Sequence, residues 1–133
     1  MKIHESAENY LETILVLYKR NGNVRSIDIA NELEFSKPSV SVAMKNLRAN
    51  GYIQVDESGN ITLLPEGQRI AQAIYEKHTV LTNYLMALGV SRDVASEDAC
   101  RIEHVLSKES FEAIKNHAEK YAAILEEKGY GNQ

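Results

Sequence analysis

The stretch Ser26-Ile27-Asp28-Ile29-Ala30-Asn31-Glu32-Leu33-Glu34-Phe35-Ser36-Lys37-Pro38-Ser39-Val40-Ser41-Val42-Ala43-Met44-Lys45-Asn46-Leu47-Arg48-Ala49-Asn50-Gly51 decides how this chain folds. Ser26 reads as the N-cap of a short helix carrying Ile27, Ala30 and Leu33, because a serine hydroxyl accepts from the unpaired N–H groups of a first turn. The pattern breaks at Phe35. Ser36 is a second N-cap, and Pro38 sits in the following first turn, where its missing N–H costs nothing. Val40, Met44 and Leu47 then recur at i, i+4 and i+7, one helical face. Asn50-Gly51 closes this helix, with Gly51 suited to the left-handed position after a C-cap. Two short capped helices joined by a tight break form a helix-turn-helix.

Upstream, Asn9 to Arg20 reads as a helix with Tyr10, Ile14, Leu17 and Tyr18 on one face and Asn21-Gly22 as its stop. Downstream the period changes. Tyr52-Ile53-Gln54-Val55 and Ile61-Thr62-Leu63-Leu64 are short β-prone runs around Asp56-Glu57-Ser58-Gly59-Asn60, which predicts a two-stranded hairpin. Three helices and a hairpin make a winged helix-turn-helix, assigned here to residues 1–73. Pro65 opens a long helix with a stripe of Ile70, Ala73, Ile74, Leu81, Leu85 and Leu88 that stops at Gly89. A further helix is expected from about Asp93 to Leu106. The last is expected from about Glu109 to Lys128, with Phe111, Ile114, Ala118, Tyr121, Ala122 and Leu125 apolar and Gly129 ending it. The predicted fold class is therefore mainly α with a small β-hairpin, a winged helix-turn-helix followed by a helical domain over residues 74–133. Some 60 residues of helix are too few for a large independent core, so a second copy of the chain is the expected partner.

Bulk properties narrow the alternatives. A chain of 133 residues with 44% hydrophobic and 26% charged residues has the balance of a globular protein. No run approaches the roughly 18 apolar residues of a membrane span. Met1-Lys2-Ile3-His4-Glu5-Ser6 turns polar at once and has no signal-peptide core, so a cytoplasmic location is expected. The single cysteine, Cys100, cannot close an internal disulfide. The formal charge of −4 argues against indiscriminate binding to phosphate, yet a local patch is independent of the total. Between Phe35 and Val55 stand three cations, Lys37, Lys45 and Arg48, and no acid.

That basic stretch is the candidate DNA-reading element. A helix in the major groove presents its N-terminal residues to base edges and its N–H groups and cations to phosphates. Ser36, Lys37, Pro38, Ser39 and Ser41 open the third helix with small side chains that permit close approach. Lys45 and Arg48 lie farther along, where they meet the backbone. Gln54 to Asn60 of the wing reach neighbouring phosphates, although Asp56 and Glu57 oppose them. The plainer reading is that the cations only solvate an exposed face. The full order of helices and wing favours DNA.

A second constellation is Asp98-Ala99-Cys100-Arg101-Ile102-Glu103-His104-Val105-Leu106. Cys100, Glu103 and His104 stand at i, i+3 and i+4, which on a helix is one face. Thiolate, carboxylate and imidazole converging on one point form a transition-metal donor set. The shell is unfinished, and further donors are offered by Glu8, Asn9 and Glu12 on the first helix and His78 on the helix after the hairpin. A helical cysteine is more commonly a small buried hydrophobe. Tyr10, Leu81 and Ile102 read as core, and His4 and His117 as surface. An enzyme with Cys100 as nucleophile and His104 as base is not expected, because a mid-helix thiol lacks a helix N-terminus to lower its pKa. A winged-helix regulator with a non-metal effector is the alternative reading.

Winged helix-turn-helix and Asp-Ala-Cys-Arg-Ile-Glu-His-Val-Leu-Ser together resemble the metal-dependent repressors of the diphtheria toxin repressor and manganese transport regulator (DtxR/MntR) family. The likeness extends over nearly the whole chain. It includes Glu8-Asn9-Tyr10-Leu11-Glu12, Ile29-Ala30-Asn31-Glu32-Leu33, Ser36-Lys37-Pro38-Ser39-Val40-Ser41 and Lys77-His78. The resemblance implies a homodimeric repressor of metal homeostasis that binds double-stranded operator DNA when loaded with metal, in the two-domain form without an SH3-like third domain. It implies Asn9, Glu12, His78, Cys100, Glu103 and His104 as metal ligands. An ion held by donors from both domains is expected to fix the spacing of two recognition helices, about 34 Å for successive major grooves on one face.

The match is a hybrid. At Asn9 the manganese regulators carry Asp and the iron-type repressors Met. Cys100 matches the iron branch, where manganese regulators carry Glu, whereas Glu12 and His78 match the manganese branch. Thr82 and Ser96 stand where the iron branch has ancillary-site ligands. Thiolate softness and the Irving–Williams order place Fe²⁺ first and Mn²⁺ second.

Overall fold

The computed structural model describes residues 5–127, with side chains through Ala122. Its elements are α1 (Glu5–Asn21), α2 (Ser26–Leu33), α3 (Lys37–Ala49), β1 (Ile53–Val55), β2 (Ile61–Leu63), α4 (Pro65–Ala87), α5 (Arg92–Ile102) and α6 (Lys108–Glu127). The backbone divides into two compact units, with the division between Tyr75 and Glu76 on α4. The architecture is the expected one, mostly helical with one antiparallel hairpin. No described helix is long and apolar enough to cross a membrane.

The first unit is built around Leu11, Ile14, Leu15, Leu17, Val24, Ile29, Val40, Met44, Leu47, Ile53, Ile61, Ile70 and Ala71. Each fully buried Leu or Ile among them contributes about 1.5–3 kcal/mol relative to exposure, which is what holds three short helices and a six-residue ladder together. The wing pairs Ile53 with Leu63, Gln54 with Thr62 and Val55 with Ile61. Its second strand is also tied to the loop after α1, because Ile61 N–H donates to the Val24 carbonyl at 2.8 Å.

Local signals placed α3 well. Ser36 Oγ accepts from Ser39 N–H at 3.2 Å, Pro38 lies in the first turn, and Gly51 adopts φ +78° after the helix. They placed α2 less well. Ser26 is the first helical residue and Arg25 the N-cap, where the Asp28 carboxylate accepts from Arg25 N–H at 2.9 Å. The register that follows buries Ile29 and Ala30, and leaves Ile27 40% exposed. On α1 the buried stripe is Leu11, Ile14, Leu15 and Leu17, and Tyr18 faces solvent. Tyr10 is half-buried and packs edge-on to Phe35.

In the second unit Leu81, Ala95, Ala99 and Phe111 are buried. Ala73 and Leu88, expected in the buried stripe of α4, are exposed. Leu88 lies beyond the helix end at Ala87, where the chain tightens and turns at Gly89, so it leaves the stripe. The following helix is shorter than its sequence pattern implied, ending at Ile102 and not Leu106. Val105 N–H donates to the Ile102 carbonyl three residues back, a tightened final turn. Ser107 then stands just before α6, its hydroxyl accepting from Ser110 N–H at 3.1 Å. The Leu125 side chain, the stop at Gly129, and His4 lie outside the described residues.

One close approach locks the wing to α4. The Tyr52 carbonyl accepts from Leu64 N–H at 2.9 Å, and a Cβ at Gly67 would overlap that same oxygen. Backbone cannot yield as a flexible side chain does. Gly67→Ala is therefore expected to destabilise the first unit by about 1–3 kcal/mol, read as a lowered denaturant midpoint at unchanged m-value.

Candidate metal centre and nucleic-acid interface

Glu103 is the C-cap residue of α5 and is fully buried, a rare position for a carboxylate. Its Oε2 lies 2.9 Å from His78 Nδ1, which α4 brings in from 25 residues earlier in the chain. Its Oε1 lies 3.4 Å from His104 Nε2, but that approach lacks hydrogen-bond geometry, and Oε1 has no hydrogen-bond partner. The His104 ring is itself only 2% exposed. Two imidazoles thus flank a buried carboxylate with an oxygen lone pair unspent. Leaving a charged group partly uncompensated in the interior costs several kcal/mol. Oxygen and imidazole nitrogen donors of this kind fit a divalent first-row cation.

The six residues expected as ligands divide as follows. His78, Glu103 and His104 come together within the helical unit. Cys100 is on α5 and exposed. Glu103 is the C-cap of α5, with right-handed helical backbone and its N–H still donating to the Ala99 carbonyl at 2.9 Å, so the face drawn from the sequence continues to it, and His104 lies in the turn beyond. Asn9 and Glu12 lie three residues apart on α1 in the first unit, Glu12 buried and Asn9 half-buried. Glu8, on the same helix, is half-buried. His117 is exposed, with its Nδ1 2.8 Å from the Tyr84 hydroxyl. Ser96, which stands where the iron branch has an ancillary-site ligand, has its Oγ 3.4 Å from His78 Nε2. No periodicity within α5 links it to a residue eighteen positions earlier.

The residues expected to read DNA all reach solvent. Ser36, Lys37, Pro38, Ser39, Ser41, Lys45 and Arg48 are exposed on α3 and its cap. Ser36 Oγ also donates to Ser39 Oγ at 2.8 Å, so the two hydroxyls hold each other at the helix entrance. Val42 is 61% exposed between these polar residues. It falls off the Val40, Met44, Leu47 stripe, which was the available signal for its exposure.

Chain comparisons agree with this layout. Residues 2–60 match the signature described as "Iron dependent repressor, N-terminal DNA binding domain", and residues 64–123 match "Iron dependent repressor, metal binding and dimerisation domain". The chain belongs to the DtxR/MntR family of metal-dependent transcriptional regulators. It is 34% identical to the transcriptional regulator MntR of Salmonella typhimurium over 92% of this chain and 78% of that protein. It is also 34% identical to an uncharacterised HTH-type transcriptional regulator of Methanocaldococcus jannaschii, over 88% of this chain and 95% of the other. Among solved structures it resembles the manganese regulator SloR, with TM-score 0.75 and 28% identity over 90% of this chain. It also resembles IdeR of T. acidophilum, with TM-score 0.71 and 28% identity over 88% of this chain. The chain spans 55% of each of those two solved chains.

The wing bears on how DNA-binding members of such a fold manage their acids. Asp56 accepts from the backbone N–H groups of Ser58 and Asn60, each at 2.9 Å, which ties its carboxylate into the turn. These donors, Asn60 first, hold the Asp56 carboxyl below the ordinary aspartate range. The folded pKa being the lower one, this contribution to the turn is complete above the unfolded value of about 3.9 and is lost as pH falls through the folded value. Protection of the Ser58 and Asn60 amides, relative to their intrinsic exchange rates, is expected to fall across that acid window, and in Asp56→Ala to be low at neutral pH as well. Equal protection in wild type and Asp56→Ala at neutral pH would refute the assignment.

Proposed function

We propose that this chain is a repressor of metal-homeostasis genes, activated by a divalent transition metal and binding double-stranded operator DNA as a homodimer in the cytoplasm. The observation that carries the reading is the fully buried Glu103, with one oxygen lacking a hydrogen bond and imidazoles on either side. Glu103, His78 and His104 are the proposed core of the ligand set, with Asn9, Glu12 and Cys100 as its further donors. A bound cation supplies the positive charge that this carboxylate lacks in the interior.

The protein's own groups do the rest. Glu103 must be ionised, and His78 and His104 must each offer a lone pair, so metal affinity falls in acid. Ser36, Lys37, Pro38, Ser39 and Ser41 present the start of α3 to base edges, and Lys45 and Arg48 meet phosphates. The exposed Val42 supports an apolar contact to a thymine methyl in the same groove. Metal and DNA then raise each other's affinity through one reciprocal coupling.

Manganese is placed ahead of iron. A set dominated by carboxylate, amide oxygen and imidazole suits Mn²⁺, and the exposed position of Cys100 weakens the sulfur argument that favoured Fe²⁺. The description of SloR as a manganese regulator supports the same order.

Duplexes selected from a random pool in the presence of Mn²⁺ supply the probe for two tests. Full chain carrying Glu103→Gln or His104→Ala is expected to lose metal-dependent binding with Mn²⁺ and Fe²⁺ alike, whereas Cys100→Ala loses more with Fe²⁺ than with Mn²⁺. Retention of binding after exhaustive chelation would defeat the reading. Lys45→Ala and Arg48→Ala are each expected to weaken binding to all duplexes and to lower the slope of log affinity on log salt by about 1. Slopes unchanged in both would remove these two cations from the phosphates.

A further inference from the structure

The His78 ring has a polar neighbour at each nitrogen. Nδ1 lies 2.9 Å from Glu103 Oε2, and Nε2 lies 3.4 Å from Ser96 Oγ on α5. A carboxylate only accepts, so with Glu103 ionised the ring faces it as Nδ1–H. A neutral imidazole carries one proton, which makes Nε2 an acceptor in that state. Ser96 is then the donor. For Nδ1 to present a lone pair toward Glu103 and His104, the ring proton has to sit on Nε2, where it needs an acceptor. A hydroxyl serves both cases, because its O–H rotates and its lone pairs remain.

We infer that Ser96 is a positioning residue that holds the His78 ring in place in either tautomer, donating to Nε2 when the proton is on Nδ1 and accepting from Nε2–H when it is not. This rests on the proposed metal-dependent function and names an outer partner for one of its ligands. Outer partners of a ligating histidine fix both ring orientation and tautomer. Ser96 is half-buried, so trimming its hydroxyl disturbs little else. Alanine there serves neither tautomer. Threonine serves both.

The experiment is a long-range proton–nitrogen correlation spectrum of the His78 ring in ¹⁵N-labelled full chain, without metal and with Zn²⁺ as a diamagnetic probe. Metal-free wild type is expected as the Nδ1–H tautomer and the Zn²⁺ form as Nε2–H. Ser96→Ala is expected to keep Nδ1–H without metal, held by Glu103, and to bind Zn²⁺ and Mn²⁺ with dissociation constants raised about tenfold, restored in Ser96→Thr. Persistence of Nδ1–H with Zn²⁺ bound, or a Ser96→Ala protein with wild-type affinity, overturns the inference and leaves the proposed function standing. A wild-type chain that binds neither ion overturns both.

Discussion

A carboxylate without solvent is the constraint around which the helical unit is arranged. Glu103 is 0% exposed, and its charge is answered by one 2.9 Å contact to His78 and a 3.4 Å approach from His104. Removing an ion from water costs several kcal/mol even after the protein relaxes. A chain whose whole folding free energy is of order 5–15 kcal/mol does not carry such a group without return. Members of the DtxR/MntR family are regulated by metal, and a charge held in reserve is the physical form a metal-responsive site takes: stable enough to fold, improved by a cation. Ligand binding to the folded state alone stabilises it by mass action, so in the proposed metal centre the same group links metal level to structure.

The first unit solves a different problem, presenting cations to a polyanion from an acidic protein. Net charge is −4, yet residues 35–55 hold only basic charges. The nearest acid on the wing is handled locally. Asp56 spends its lone pairs on the backbone of its own turn, and a hydrogen-bonded carboxylate of this kind is anchored in place. Upstream, Glu32 is paired with Arg20 at 2.9 Å, an exposed bridge worth little in stability but one that offsets an acid near the helix-turn-helix. Glu34 at the end of α2 adopts φ +57°, a left-handed conformation that a non-glycine residue accepts here to make the tight turn into α3.

What was legible in the sequence were features decided within one turn of chain. Ser36, Pro38 and Gly51 each act on backbone groups three or four residues away, so their reading as cap, first turn and stop needed no tertiary knowledge. Ile27 and Ile29 show the limit. Both are apolar and both lie on α2, on nearly opposite sides of the helix, and only the packing of that helix against the core puts Ile29 inside and Ile27 in solvent. Cys100 and Glu103 show it again, since three residues apart at the end of α5 one is exposed and the other fully buried.

Sequence by itself determined the order of helices and wing, the acid-free recognition segment, and the inventory of groups able to hold a cation, because residue type, period and capping chemistry are local. Tertiary structure alone decided that Glu103 is buried and Cys100 exposed, that His78 of α4 meets Glu103 at the end of α5, and that Ser96 stands behind His78. Those outcomes depend on where α5 ends and on pairings 18 and 25 residues apart. Solvation and long-range packing set them, and neither is written in spacing along the chain.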